Sequence, residues 1–161
     1  MTRIYLDTNI LVAYYATDQA EKGKKELVER ALDVFEQLAD VELCTSQWAV
    51  TEMVKVLGRT KGMDGRDVAG IASALLRGKR LRNLKITLIE VSPRKNYNFD
   101  DFFVEVGELT LTYRLDLADA IHALIVRNHK IEQILSFDEN FALKGVAGCT
   151  VIHPSKFVGL L

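Results

Sequence analysis

Short apolar segments alternate along the chain with longer segments that repeat apolar residues every three or four positions. The first kind is typical of buried strands and the second of amphipathic helices. The predicted strands are RIYLD (3–7), VELCTS (41–46), KITLIEV (85–91), EQILSFD (132–138) and CTVI (149–152). Because strands that alternate with helices usually pair in parallel, the pattern predicts an α/β protein with a central, mostly parallel sheet of four to five strands and helices on both faces.

The segments between these strands are predicted to be helical. They cover residues 9–16, 21–40, 46–59, 62–78, 99–114 and 116–130. Thr8 or Asn9 is expected to cap the first helix and Ser46 the third, because small polar side chains are preferred at that position. The 161 residues suggest one domain over 1–161 with a substantial core.

Composition excludes some classes of partner. The formal net charge is −1, so no overall field draws the chain to nucleic acid or to a membrane surface, and a polyanion would need a local basic patch. No apolar run approaches the length of a membrane span, and the apolar start is broken by Asp7, which argues against a signal peptide. Cys44 and Cys149 lack CxxC spacing, which favours reduced thiols in a cytoplasmic protein.

Two predicted strands lead directly to an aspartate. Asp7 follows the first strand and Asp138 follows QILSF in the fourth. In open parallel sheets, ligands bind outside the carboxyl ends of the strands, so both carboxylates are candidates for a binding site. The alternative is that each aspartate only caps the structure that follows it.

Two further acids lie on predicted helices. Glu52 has apolar neighbours at i−4 and i+4, and burying it unpaired would cost several kcal/mol. The helix alone favours an exposed Glu52 paired with Lys55. Asp119 faces away from the apolar stripe of its helix, where Ala123 leaves open space beside the carboxylate. Asp116 fits best as the N-cap, with Asp119 reaching back as in a capping box.

If these four acids meet, they cannot all remain ionised without a cation. Neighbouring carboxylates raise one another's pKa, and a divalent metal reverses that effect. A site made of oxygen donors, without cysteine, favours Mg²⁺ or Mn²⁺ over zinc. Such a site can activate water and hold a phosphodiester for in-line attack.

Four motifs in this order resemble a known family. They are LDTNIL (6–11), TSQWAVTE (45–52), LADAIHAL (117–124) and LSFDENF (135–141), and together they resemble the PIN domain, in particular the VapC-like toxin ribonucleases. The resemblance extends over nearly the whole chain. It departs from the toxins in length, with the extra residues lying mainly between Gly58 and Tyr97, which leaves the subfamily open.

The resemblance implies a PIN-like three-layer domain with an acidic quartet of Asp7, Glu52, Asp119 and Asp138. Asp7 and Asp119 would be the foremost metal ligands, and Asp138 would complete a second metal position. Glu52 would orient or deprotonate the attacking water, or ligate the metal through water. The neighbouring polar residues would hydrogen-bond the acids and border the substrate; they are Thr8, Asn9 and Ser136.

The same resemblance implies a function. We expect a Mg²⁺- or Mn²⁺-dependent endoribonuclease that hydrolyses RNA phosphodiester bonds and is the toxin of a toxin–antitoxin pair. It would be a cytoplasmic homodimer silenced by an antitoxin protein. A non-catalytic PIN scaffold that binds RNA or protein is the main alternative. A phosphoaspartyl phosphatase or receiver domain fits less well, because LDTN lacks the second aspartate of a phosphatase motif and no lysine follows a late strand in the place such sites need.

Several other residues are candidates for substrate contacts. The segment RGKRLRNLK (77–85) holds cations without an acid and is either an RNA backbone patch or a solvated basic loop; its candidates are Arg77, Lys79, Arg80 and Arg82. The helical position of His122 favours a packing role. The aromatic residues Trp48, Tyr14 and Tyr15 occur at helical spacing, which favours core packing over base stacking.

Overall fold

The fold is built on a six-stranded sheet, seen in a computed structural model that describes residues 2–139, 145 and 148–160. The strands are β1 (Thr2–Leu6), β2 (Val41–Ser46), β3 (Arg80–Leu81), β4 (Leu84–Ile89), β5 (Gln133–Leu135) and β6 (Thr150–Ile152). Their order in the sheet is β3-β4-β2-β1-β5-β6. All neighbours pair in parallel except β3 and β4, which form an antiparallel pair. The predicted α/β class with a mostly parallel sheet is confirmed.

Helices cover both faces of this sheet. They are α1 (Thr8–Tyr15), α2 (Lys22–Gln37), α3 (Gln47–Lys55), α4 (Gly65–Ser73), α5 (Phe99–Tyr113) and α6 (Leu117–Asn128). Side chains of a strand alternate between faces, and β1 shows the result. Ile4 and Leu6 pack with α1 to α4, whereas Tyr5 packs with α5 and α6. None of the helices in the described ranges is long and apolar enough to cross a bilayer.

The structure has one strand more than the predicted four to five, and this additional strand is β3. It has two residues, too few for an alternating pattern to be visible in the sequence. Lys79 and Arg82, on either side of it, adopt left-handed backbone conformations with φ of 50° and 55°. These two positions turn the chain so that β3 folds back on β4. The basic segment therefore forms an edge hairpin rather than a loop.

Two predicted helices contain a change of helical type. The segment predicted at 46–59 forms α3 and then a π-helical turn at Val56–Thr60. The segment predicted at 62–78 forms α4 and then a π-helical turn at Ala74–Gly78. The first turn closes with the amide of Lys61 donating to the carbonyl of Val56 at 3.0 Å. This turn sets the position of Lys61, which contributes to the site below.

The carboxyl ends of the central strands lie at one edge of the sheet. β1 ends before Asp7, β2 ends at Ser46 and β5 ends before Ser136. The amide of Asp7 donates to the carbonyl of Leu135 at 3.1 Å, which ties the ends of β1 and β5 together. The sheet thereby brings side chains from distant parts of the chain to a common edge. Cys44 and Cys149 are buried, and no disulfide joins them.

Candidate active site

Asp7 connects β1 to α1 and is the N-cap of that helix. Its Oδ1 accepts a hydrogen bond from the amide of Thr8 at 2.7 Å. The prediction that Thr8 or Asn9 would be the cap is therefore wrong by one or two residues. The reason is that the extended backbone of Asp7, with φ of −69° and ψ of 158°, already directs its carboxylate at the free amides of the first turn. The side chains of Thr8 and Asn9 remain available for other contacts.

The second oxygen of Asp7 is held by two side chains. Asn9 Nδ2 and Ser136 Oγ each donate to Asp7 Oδ2 at 2.7 Å. Asn9 also donates to Ser136 Oγ at 2.9 Å, and its Oδ1 accepts from the amide of Phe137 at 3.1 Å. Asp7 is only 4% exposed. Its orientation is therefore set by a network that joins the end of β1 to the segment after β5.

Glu52 points from α3 towards the same edge and is half-buried. Its Oε2 accepts from Thr8 Oγ1 at 2.7 Å and from His122 Nε2 at 2.6 Å. No ion pair to Lys55 forms within the described part of the chain, so the exposed pair favoured by the helix alone is wrong. The tertiary contacts with α1 and α6, which helix spacing does not encode, provide its partners instead.

His122 is oriented from its other side by a buried chain of hydroxyls. The phenol of Tyr5 lies 2.9 Å from His122 Nδ1 and 2.8 Å from Ser46 Oγ. The direction of the bond between Tyr5 and Nδ1 follows the protonation of the ring, because Tyr5 donates to a ring protonated only at Nε2 and accepts from an imidazolium. The helical position favoured a packing role for His122. It is indeed buried, but it also contacts Glu52 and so forms part of the site.

Asp119 lies in the first turn of α6, and Asp116 is the N-cap as predicted. Asp116 Oδ1 accepts from the amide of Asp119 at 2.9 Å. The return bond of a capping box is absent, and the Asp119 carboxylate makes no hydrogen bond with any residue that the structure describes. This carboxylate lines a cavity instead.

All four acids of the predicted quartet line that one cavity, which we call the acid cavity. Its volume is about 330 Å³, and His122 lies in its wall. Asp138 is exposed at its border, and the amide of Asp138 donates to Ser136 Oγ at 3.0 Å. Asn140 and Phe141, the last residues of the LSFDENF motif, lie outside the described residues. Acids from the ends of β1 and β5 and from α3 and α6 thus share one space.

Comparisons with known proteins agree with this geometry. The PIN domain family model matches residues 4–146. The chain belongs to the PIN domain family. The predicted resemblance is therefore confirmed, and the sheet described above is that of a PIN fold. No curated protein sequence matches the chain.

Several solved structures share the fold of this PIN domain. VapC20 of Mycobacterium tuberculosis, described as a Sarcin-Ricin loop cleaving toxin, is 18% identical with a TM-score of 0.60, covering 89% of this chain and 95% of that chain. VapBC2 of Rickettsia felis, bound to a promoter DNA fragment, is 13% identical with a TM-score of 0.61, covering 94% and 98%. A toxin–antitoxin complex of Klebsiella pneumoniae is 18% identical with a TM-score of 0.54, covering 94% and 97%. At these identities the likeness concerns the fold.

The surroundings of the acids in this PIN domain shift their pKa values. Burial raises the pKa of Asp7, and the nearby Glu52 adds to the rise, although His122 and the hydrogen bonds from Ser136 and Thr8 oppose it. Burial also raises the pKa of Asp119, with further contributions from the charges of Asp116, Asp7 and Asp138. The carboxylates therefore repel one another across the cavity.

Glu52 shows the opposite shift. Burial by itself raises the pKa of this carboxyl. The hydrogen bond and charge of His122, together with the Thr8 hydroxyl, outweigh burial and hold the pKa of Glu52 below its usual value. The neighbours of Glu52 therefore stabilise its ionised form by more than burial destabilises it.

The donor set fits a hard divalent cation in chemistry but does not form a closed cage. Among the described residues, no three His, Cys, Asp or Glu side chains converge as ligands of one ion. Mg²⁺ is usually bound by one or two carboxylates and keeps several waters, so it does not require such a cage. Asp7 and Asp119, two carboxylates with raised pKa values, face a common cavity. A cation bound between them would stabilise their ionised forms.

Two lysines that the sequence did not single out also line the acid cavity. Lys61 Nζ lies 2.8 Å from Glu21 Oε1 and 3.0 Å from Asp18 Oδ2. Lys24 Nζ lies 3.6 Å from Glu21 and 5.7 Å from the centre of the Phe137 ring. Lys24 is on the first turn of α2, and Lys61 follows the π-helical turn. Their convergence depends on tertiary packing, and no motif marks it.

The predicted basic residues do not line the acid cavity. Arg80 and Arg82 belong to the hairpin at the start of β4, which lies at the amino edge of the parallel strands and so opposite the cavity. Arg82 is engaged with α2, where Nη1 lies 2.6 Å from Asp33 Oδ1 and Nε 3.8 Å from Glu36. The structure therefore separates the basic segment from the acids.

Proposed function

We propose that this PIN domain is a Mg²⁺- or Mn²⁺-dependent endoribonuclease and the toxin of a toxin–antitoxin pair. The observation that carries the proposal is the meeting of Asp7, Glu52, Asp119 and Asp138 at one cavity at the carboxyl edge of the sheet. Membership of the PIN family and the fold shared with VapC20, described as a loop-cleaving toxin, support it.

Asp7 and Asp119 would hold the cation, with Asp138 completing the oxygen donors at the border of the cavity. A bound divalent cation would supply Lewis-acid activation of water and neutralise charge on the scissile phosphate. Asn9 and Ser136 fix the orientation of Asp7 before any ligand arrives, because both donate to its Oδ2. Their contribution is preorganisation, so that less rearrangement is needed on binding.

Glu52 is the residue suited to receive a proton from the attacking water. Thr8 and His122 both occupy Oε2, and within the described residues Oε1 accepts no hydrogen bond. Oε1 therefore remains available to orient a water at the phosphorus. As that water attacks, its proton would pass to Glu52 and the bond from phosphorus to the 3′ oxygen would break. The leaving 3′ oxygen would take a proton from solvent, so that the products carry a 5′-phosphate and a 3′-hydroxyl.

Partners follow from the same proposal. The protein would act in the cytoplasm as a homodimer silenced by an antitoxin protein. One neighbour in fold, the Klebsiella pneumoniae structure, is itself described as a toxin–antitoxin complex. The exposed apolar side chains on α5, including Phe99 (78% exposed) and Leu111 (82%), are the surface that a second copy would bury.

The basic segment has a restricted place in this proposal. Lys79 and Arg80 are exposed at the edge opposite the acid cavity, and Arg77 is exposed in the π-helical turn that precedes them. They would contact only RNA that extends well beyond the cleavage site. A short oligonucleotide would not reach them, whereas Lys24 and Lys61 would lie beside its backbone in the cavity.

Cleavage assays on purified variants test the proposal. We expect Asp7→Asn to abolish Mg²⁺- or Mn²⁺-dependent cleavage of RNA, and Glu52→Gln to lower the rate at least ~100-fold, as for loss of a general base. Circular dichroism checks that each variant is folded. Full activity in purified Asp7→Asn protein would refute the assignment. RNA binding by the wild-type protein without cleavage in either metal would support the non-catalytic scaffold instead.

A further inference from the structure

A second cavity lies beside the acid cavity at the same edge of the sheet. Its volume is about 450 Å³, in the range of sites for small ligands. It opens at the carboxyl ends of β2 and β4 and is walled by the start of α3, by Ile125 of α6 and by the segment after β4. We call it the aromatic cavity, after Trp48 and Tyr97 in its wall.

The two cavities are adjacent through the helices that they share. Trp48 precedes Glu52 by four residues on α3, and Ile125 follows His122 by three on α6. One helical turn advances about 5.4 Å, so each helix passes from one cavity to the other within about one turn. Stacked nucleotides of one strand are spaced by about 3.4 Å, so this separation corresponds to one or two nucleotides.

Two polar atoms of the aromatic cavity's side chains lack hydrogen-bond partners among the residues that the structure describes. Trp48 Nε1 and Tyr97 Oη are both shielded from solvent, and neither has a hydrogen-bond partner among residues 2–139, 145 and 148–160. Buried polar atoms are paired in nearly all native proteins. The indole N–H can only donate, whereas the phenol can donate or accept. A ligand that satisfies them must present at least one hydrogen-bond acceptor.

Cations adjoin the same aromatic groups. The Arg94 guanidinium lies 4.7 Å from the centre of the Tyr97 ring, and its Nε donates to Ser92 Oγ at 3.2 Å. Arg94 also pairs with Glu105, which holds it in place. Lys95 is exposed and makes no ion pair with any described residue. Aromatic rings beside cations are what proteins use to hold unpaired bases and their phosphates.

We propose that the aromatic cavity binds a nucleotide of single-stranded RNA that neighbours the scissile phosphate in the acid cavity. This inference rests on the proposed ribonuclease function. The base lies against Trp48 and Tyr97, whose unpaired groups hydrogen-bond its edge. Lys95 contacts the adjoining phosphate. The cavity is then the site that positions the substrate strand and reads part of its sequence.

Tryptophan fluorescence tests this directly, because Trp48 is the only tryptophan in the chain. The probe is a single-stranded oligoribonucleotide of six mixed-sequence nucleotides, added to wild-type protein in EDTA so that no metal-dependent cleavage occurs. We expect a saturable change in Trp48 fluorescence. Tyr97→Phe should weaken binding about 3- to 10-fold, as for one lost hydrogen bond, and should raise KM more than it lowers kcat.

Matched controls separate this role from a general effect on folding. Tyr14→Phe removes the same hydroxyl from a tyrosine outside the cavity and should leave binding unchanged. Lys95→Gln should reduce the slope of log affinity against log salt by about 0.7, the value for one phosphate contact on a single strand.

Fluorescence that does not change at saturating oligonucleotide, or equal affinities of Tyr97→Phe and Tyr14→Phe proteins, would overturn the inference. Cleavage by wild-type protein in Mg²⁺ is measured separately, so that failure of the ribonuclease proposal is recognised on its own.

Discussion

Asp119→Asn is the substitution that isolates the electrostatics of the acid cavity most cleanly. The Asp119 carboxylate makes no hydrogen bond within the described part of the chain, so the isosteric amide removes charge without breaking a hydrogen bond. Burial and the charges of Asp116, Asp7 and Asp138 raise its pKa, which means that its ionised form opposes folding. Without metal, the variant should therefore be more stable than the wild-type protein.

The expected gain is small because Asp119 is only partly buried. Interactions between such partly exposed charges contribute roughly 0.2–1 kcal/mol. For a chain of this size that corresponds to a rise in Tm of about 0.4–4 °C. The direction of the change distinguishes it from the loss of stability that most substitutions cause.

The gain should depend on pH in a defined direction. A carboxyl whose pKa is raised in the folded protein binds its proton more tightly there than in the unfolded chain. Its contribution to stability is fully present below the usual value of 3.8 and is lost as pH rises through the raised pKa. The advantage of Asp119→Asn should therefore be largest at neutral pH and vanish towards acid pH.

Mg²⁺ should reverse the order of thermal stability of the wild-type and Asp119→Asn proteins. At a Mg²⁺ concentration 100 times Kd, binding stabilises the wild-type protein by about 2.7 kcal/mol, and each tenfold loss of affinity removes about 1.4 kcal/mol. Thermal unfolding is measured by circular dichroism in EDTA and across a Mg²⁺ titration. Asp119→Asn should melt above the wild-type protein in EDTA and below it at saturating Mg²⁺.

Asp116→Asn is the matched control. Asparagine caps a helix as well as aspartate does, and Asp116 does not line the acid cavity. This variant should keep the full stabilisation by Mg²⁺. An Asp119→Asn protein that retains the wild-type shift in Tm with Mg²⁺ would refute the reasoning, because Asp119 would then not hold the cation.

Two other substitutions probe the remaining groups of the acid cavity. Thr8→Val removes one hydrogen bond to Glu52 and should raise the pKa of Glu52. The acid limb of the pH profile of kcat/KM should therefore move to higher pH. An unchanged profile would contradict the role of Glu52 as proton acceptor. Lys24→Gln should reduce the salt slope for binding a short oligonucleotide by about 0.7, whereas Lys79→Gln should not. Equal effects of the two lysine substitutions would show that the hairpin contacts short RNA as well.

The layers of the fold and the four acids could be predicted because each has a local signature. Five of the strands are apolar segments, and Asp7 and Asp138 follow two of them directly. β3 could not be predicted, because a two-residue strand depends on the turns at Lys79 and Arg82. The N-cap of α1 was misplaced because Asp7, Thr8 and Asn9 are all good capping residues, and only backbone geometry distinguishes them.

The partners of the acids could not be predicted from helix spacing. Glu52 pairs with His122 across 70 residues, and Tyr5 reaches His122 across 117. Such contacts arise only when α3 and α6 pack at one edge of the sheet. For the same reason the sequence could not distinguish an RNA patch from a solvated loop in the basic segment. The hairpin carries this segment to the opposite edge, and Lys24 and Lys61 line the cavity instead.

The central claim is that carboxylates from distant parts of the chain meet to hold a divalent cation. Crystals soaked in Mn²⁺ test it most directly, because anomalous X-ray scattering locates manganese independently of any assay. The account predicts an anomalous peak in the acid cavity in contact with the carboxylates of Asp7 and Asp119. Manganese bound only elsewhere, in a protein that still cleaves RNA in the presence of Mn²⁺, would contradict it.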